Sequence, residues 1–219
     1  MRYRILLADD QRIVTEGLTT ILSQHYDVVA TAKNGHELVF LAKEWNPDVI
    51  VAEIAMPQLN SLDALRMLRK AGVKSKFVVL TMHRDVSLAI EAFRAGVSGY
   101  VVKLASKDEV IAAIESALHG RTYLSSGFPV DLISILSEAI RRPSGDGLKL
   151  TRRQREVLQL VAEGKTMKEV ATVLSISTRT AESYKYEAMR VLGVHNNAEL
   201  VHYAIRIGLI MVPQLKTAA

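Results

Sequence analysis

Cysteine is absent from the 219 residues. That removes disulfides, thiolate zinc sites, iron–sulfur clusters and thiol catalysis together. Aromatic residues are scarce, at 5%, which argues against an aromatic-lined pocket for a large ligand. Long apolar runs are missing as well. The opening MRYRILLADDQR has an apolar core of about four residues, too short for a signal-peptide core or a membrane span, so no membrane association is expected and the cytoplasm is the expected compartment. P-loop, GxSxG and HExxH motifs are all lacking, and the histidines do not cluster. What is present is ordinary for a globular protein. The chain is 49% hydrophobic and 23% charged, long enough for one large domain or two small ones.

The net charge is +5, and its distribution says more than its size. Residues 1–119 hold 14 Lys/Arg against 14 Asp/Glu, residues 120–147 three against three, and residues 148–219 eleven against six. The whole excess lies in the last third. A neutral first part joined to a basic last part suggests a sensor or scaffold coupled to a polyanion binder.

Five apolar, β-branched-rich runs mark the first part: Arg4–Ala8, Asp27–Thr31, Asp48–Ile54, Lys76–Thr81 and Gly99–Lys103. Segments with helical spacing separate them; Val86, Ala89, Ile90 and Phe93, for example, share one helix face. Strands alternating with helices predict an α/β domain over residues 1–120, with a five-stranded, parallel, doubly wound sheet buried on both faces. Ser106 with Glu109 has capping-box spacing and opens a helix to about His119, with Gly120 as its stop. Residues 121–147 read as a connector. Within it Val130–Ile140 could form a short helix, and Arg141–Gly147 (RRPSGDG) is linker-like. Residues 148–219 read as an all-α domain. Capping pairs at Thr151/Gln154, Thr166/Glu169 and Asn196/Glu199, with stops at Gly164 and Gly193, predict four helices at about 152–163, 167–174, 178–192 and 197–207.

In an open parallel sheet, sites form at the carboxyl ends of the strands. Those ends carry Asp9 and Asp10, Glu53, Thr81 and Lys103. Clustered carboxylates repel one another unless a cation is present, and hard oxygen ligands suit Mg2+, so Asp9, Asp10 and Glu53 are candidate metal ligands. Thr81 and Lys103 offer donors to a phosphoryl oxygen. Singly, such residues also serve as helix caps or solvated charges; their joint placement at four strand ends points to phosphoryl handling.

Residues 1–119 resemble the receiver domain of bacterial two-component response regulators. The resemblance rests on Asp9–Asp10, Met56–Pro57, Thr81, and Tyr100 three positions before Lys103. It implies that Asp9 and Asp10 hold Mg2+, that Thr81 and Lys103 contact the phosphoryl group, and that Tyr100 is the switch aromatic, although an ordinary core or rim aromatic fits that position too. One residue departs from the pattern: the phosphoacceptor aspartate falls at Glu53, in VAEIAMP. Glutamate moves the carboxylate by about 1.5 Å on a fixed backbone. A misplacement near 1 Å can already cost about 10²-fold where alignment governs the reaction. The expectation is therefore a receiver that accepts phosphoryl from a kinase poorly or not at all. Glu53 could instead pair with Lys103 or complete a metal site, leaving the receiver partly or fully in its active state, with one negative charge where a phosphorylated aspartate carries closer to two; it could also be a neutral substitution in a receiver used only for dimerisation.

In the last part, Thr166–Leu174, Ser175–Ser177 and the helix from about Thr178 have helix-turn-helix spacing. Val170, Ala171, Leu174 and Ile176 would fill its interior, and the second helix would present its N-terminal residues to base edges. Leu150–Val201 resembles the LuxR-type helix-turn-helix of the NarL/FixJ family, through LTRRQREVLQLVAEGKTMKEVA, STRTAESY and RVLGVHNNAELV. Lys168 and Lys185 are the foremost candidate DNA contacts, with Arg179, Thr180 and Ser183 beside them. Glu182 would read a cytosine amino group or orient a neighbouring cation. Tyr184 fits the core as an alternative to the groove. The last helix offers an apolar face, part of which could form a homodimer seam. The chain thus reads as a non-enzymatic, DNA-binding transcriptional response regulator, with double-stranded DNA and a sensor histidine kinase or other regulatory protein as partners. Two alternatives are a signalling module controlled by a protein or small ligand through the receiver, and a magnesium-dependent phosphohydrolase.

Overall fold

The computed structural model describes residues 2–128, 132 and 150–210. It divides into two compact units, Met1–Leu148 and Lys149–Ala219. The helix considered at Val130–Ile140, apart from Leu132, and the linker at Arg141–Gly147 lie outside the described residues.

In the first unit, strands β1 (Arg4–Ala8), β2 (Asp27–Ala32), β3 (Val49–Ala52), β4 (Lys76–Thr81), β5 (Gly99–Val102) and β6 (Tyr123–Leu124) alternate with helices α1 (Arg12–Leu22), α2 (Gly35–Trp45), α3 (Ser61–Lys70), α4 (Val86–Arg94) and α5 (Lys107–Leu118). The strands lie in the order β2-β1-β3-β4-β5-β6, all parallel. The period of two along each strand divides the apolar runs between two cores. Leu6, Ala8, Ile50, Ala52, Phe77 and Val79 face one layer of helices, while Ile5, Leu7, Val49, Val51, Val78 and Leu80 face the other. This accounts for strands that read as unbroken apolar runs. Four of these five helices start where side chains can satisfy their free N–H groups: Asn34, Asn60, Asp85 and Ser106 each accept from the backbone three residues on.

The sheet has six strands, not the expected five. After Gly120 the chain turns back beside β5, pairing Gly99 with Tyr123 and Tyr100 with Leu124. A two-residue strand has no periodicity to read. The Ser106–Glu109 box is half formed, because only the Ser106 side chain plays its part. The Glu109 carboxylate accepts instead from the Ser125 hydroxyl and the Ser126 N–H, each at 2.8 Å. Burial would raise this carboxyl, but the Ser126, Ser125 and Tyr123 hydrogen bonds outweigh it and hold it below the usual range. Glu109 thus ties α5 to the segment after β6.

The second unit has four helices: α6 (Arg152–Ala162), α7 (Met167–Leu174), α8 (Thr178–Leu192) and α9 (Asn197–Arg206). Both threonine capping boxes are closed, Thr151 with Gln154 and Thr166 with Glu169. Val170, Ala171, Leu174 and Ala181 pack with Val157 and Leu160, holding α7 and α8 against α6. Leu200 and Ala204 of α9 pack with Leu158 and Ala188 in the other cluster of this unit.

Gly35 is set by space. A Cβ there would stand 2.0 Å from the Leu59 carbonyl oxygen, where α2 crosses the loop between β3 and α3. Alanine favours a helix over glycine by about 1 kcal/mol, but a clash with backbone cannot relax cheaply, and overpacking costs about 1–3 kcal/mol. Gly35→Ala should therefore lower stability in urea denaturation, opposite in sign to the propensity effect.

Candidate functional site

β1 and β3 are adjacent, with Ala8 paired to Ala52, so the next residue of each, Asp9 and Glu53, leaves the sheet edge side by side. This is where the winding direction reverses, the usual place for a site in such sheets. Thr81 ends β4 and Lys103 follows β5. Asp9 is 4% exposed, Glu53 1% and Thr81 0%. Lys103 Nζ lies between the two carboxylates, 2.6 Å from Asp9 Oδ2 and 3.1 Å from Glu53 Oε2. The remaining carboxylate oxygens turn to the backbone. Asp9 Oδ1 accepts from the Gln11 N–H at 3.0 Å, and Glu53 Oε1 from the Ile54 N–H at 2.6 Å and the Ala55 N–H at 3.4 Å. Glu53 is thus folded back on its own loop while its other oxygen faces Lys103.

Burial by itself would lower the Lys103 ammonium, but Glu53 and then Asp9 more than offset it and hold the group above the ordinary lysine range. Asp10 stands at the rim. Partial desolvation and the charge of Asp9 hold its carboxyl above the usual range, against weaker opposition from its backbone hydrogen bond and Lys103. The three carboxylates do not gather into the expected metal site. Among the described residues no group of three or more His, Cys, Asp or Glu is placed to hold an ion. The Lys103 ammonium lies between Asp9 and Glu53, and Asp10 stands outside that pair.

Tyr100 is fully buried, and its hydroxyl donates to the His83 carbonyl at 3.0 Å. Its ring meets Phe128 edge-on at 5.4 Å and Phe93 at 6.5 Å. Burial, with Glu53 and Asp85, pushes the phenol well above its ordinary value. Thr81 Oγ1 accepts from the His83 N–H at 3.3 Å. His83 therefore meets both side chains, Thr81 at its N–H and Tyr100 at its carbonyl. Nothing in the sequence singles it out, since it contributes backbone atoms.

In the second unit Lys168, Arg179, Glu182 and Ser183 are exposed, whereas Thr180 and Lys185 are half-buried. Thr180 is drawn into the α8 N-cap, its N–H donating to Ser177 Oγ at 3.0 Å with the two hydroxyls 2.7 Å apart. Tyr184 packs against the α7–α8 core. The turn is fixed by Ser175 at φ 53°, the left-handed cap of α7. Tyr186 is exposed beside Lys185, whose Nζ lies 6.0 Å from its ring centroid.

Removing the buried cation leaves two carboxylates without a counter-charge, which costs about 3–5 kcal/mol for a buried pair. Lys103→Met should lose stability of that order at pH 7. The sign follows from the raised Lys103: its contribution is complete below the unfolded lysine value and vanishes as pH rises through the higher folded one. Urea denaturation of both proteins from pH 6 upward should show the gap holding at neutral pH and closing only in strong alkali.

Residues 5–115 match the response regulator receiver domain family, and residues 148–204 match the bacterial regulatory proteins of the luxR family. The chain is 31% identical over 211 residues to the transcriptional regulatory protein MctR of Rhizobium johnstonii, covering 95% of this chain and 96% of that one. It is 30% identical over 209 residues to the response regulator UvrY of Escherichia coli, covering 94% of each. A solved LuxR-family two-component response regulator from an Aurantimonas species is 34% identical, with a TM-score of 0.57, covering 63% of this chain and 97% of that one. RcsB of Salmonella enterica serovar Typhimurium, bound to the rprA promoter, is similar at a TM-score of 0.60 and 25% identity, covering 92% of this chain and 98% of that one. No helix among the described residues is long and apolar enough to cross a membrane. The chain belongs to the NarL/FixJ type of two-component response regulators, in which a receiver domain is joined to a LuxR-type DNA-binding domain.

Proposed function

We propose that this protein is a cytoplasmic, homodimeric regulator of transcription, not an enzyme, whose receiver works without phosphoryl transfer. The observation that carries this reading is the state of Glu53. Its carboxylate is 1% exposed, held by the Ile54 and Ala55 N–H groups on one oxygen and facing Lys103 on the other. A nucleophile must reach the phosphorus of its donor in line, and this carboxylate is both displaced by a methylene and turned from solvent. Receiver domains generally bind Mg2+ for phosphorylation. With no transfer to serve, Asp9 and Glu53 keep Lys103 as their counter-charge. A sensor kinase that docked here would find no aspartate at the phosphoacceptor position, so control passes to a protein or ligand that reads the receiver surface. The inward Tyr100 and the Thr81–His83 contact are compatible with one resting conformation.

DNA contact in this reading runs through α7 and α8. Lys168 at the α7 N-terminus and Arg179 in the first turn of α8 are exposed cations suited to phosphate or base edges. Glu182 beside them disfavours phosphate and would accept from a cytosine amino group.

Two measurements test the proposal. Binding to a promoter duplex should be unchanged by a small phosphodonor in the protein as it is and altered by it in Glu53→Asp; a donor response in the unaltered protein would overturn phosphorylation independence. Separately, Lys168→Ala should weaken binding uniformly across sequences and reduce the slope of log K against log salt by about 0.9. A slope equal to that of the parent protein would remove Lys168 from the phosphate contacts.

A further inference from the structure

Along α8, Arg179, Ser183, Tyr186 and Arg190 recur at steps of four, three and four residues, the spacing that lines side chains along one helix face. All four are exposed, and the opposite face is closed by Ala181 and Ala188, both fully buried. Arginine and serine belong on a solvated face. Tyr186 is a large aromatic 67% exposed in the middle of the stripe, near one cation at each end. The Lys185 ammonium lies over its ring, in the manner of a cation–π contact, which leaves the ring edge and the other face free. Lys185 itself is half-buried and off the stripe. The centre of the outward surface is therefore apolar, with charge around it.

On a base edge in the major groove the one apolar group is the C5-methyl of thymine. We propose that Tyr186 is a specificity-determining residue that reads a thymine through that methyl group, while Arg179 and Arg190 hold the helix in register from either side. This rests on the reading of α8 as the helix that enters the groove. It assigns the selectivity of the α8 surface to an aromatic contact instead of to Lys185.

The test uses the full chain and a duplex that it selects from a random pool. Each thymine is replaced in turn by uracil, which deletes only the methyl group, and affinity is read by fluorescence anisotropy. One uracil in each half-site should weaken binding of the parent protein and of Tyr186→Phe by about fourfold, the weight of one buried methyl group. The same uracil should leave Tyr186→Ala unaffected, with its circular dichroism and Tm unchanged. The proposal is overturned if no uracil separates the parent from Tyr186→Ala. It is also overturned if Tyr186→Phe loses as much affinity as Tyr186→Ala while every uracil is silent, since the hydroxyl would then be bonding to phosphate. If the chain enriches no sequence and binds no duplex, the groove reading fails first and this assignment falls with it.

Discussion

The ammonium of Lys103 between Asp9 and Glu53 is the contact on which the receiver half depends. Two carboxylates withdrawn from water at the ends of β1 and β3 repel each other, and the desolvation of each is tolerable only with a counter-charge in reach. Strand order supplies it. Because β1 and β3 are neighbours and β5 lies two strands beyond β3, a long side chain at the end of β5 can reach the reversal point. Glutamate adds a second element. Its extra methylene lets Oε1 bend back to the Ile54 and Ala55 N–H groups without giving up Lys103. One oxygen of the carboxylate is thereby hydrogen-bonded to the backbone and the other faces Lys103 across 3.1 Å, which is the opposite of what a phosphoacceptor needs.

From this centre the structure is continuous to the edge of the sheet. Thr81, at the end of β4, receives the His83 N–H, and Tyr100 on β5 gives its hydroxyl to the carbonyl of the same residue. Phe128 closes on the Tyr100 ring edge, and Glu109 fastens Ser125 and Ser126 to the start of α5. The segment after α5 is thus part of the receiver's packing. A sixth strand at the edge completes the β5 ladder and covers groups that would otherwise face water.

The DNA-binding half is organised by local chemistry. Side-chain caps start all four of its helices, and buried alanines at 171, 181 and 188 allow close helix approach. The buried charge among its described residues is matched: Glu156, 2% exposed, is met by Arg152 at 2.7 Å and Arg153 at 2.9 Å. Lys168, Arg179, Arg190 and Arg206 are exposed, which leaves the unit both well packed and attractive to a polyanion.

The sequence by itself determined what short-range physics determines. Apolar runs located β1 to β5, three capping pairs, the glycine stops and the helix-turn-helix spacing located the four C-terminal helices within a residue or so of their observed ends, and Ala171 and Leu174 were legible as interior. The members of the pocket were legible too, because strand ends in a parallel sheet share an edge whatever the loops do. The choice of partners was left to the tertiary structure. Three carboxylates near a strand edge suggest a metal, yet the fold places Lys103 between two of them and leaves Asp10 at the rim. Glu109 is spaced to close a capping box, but β6 brings Ser125 and Ser126 closer to it than its own helix start. Lys185 and Tyr186 are adjacent in sequence, yet helix rotation leaves the first half-buried and the second exposed. A propensity or a cap depends on neighbours a few residues away. A buried charge or an exposed ring depends on which distant segments the fold brings within a few ångströms, and that is decided only when the chain has packed.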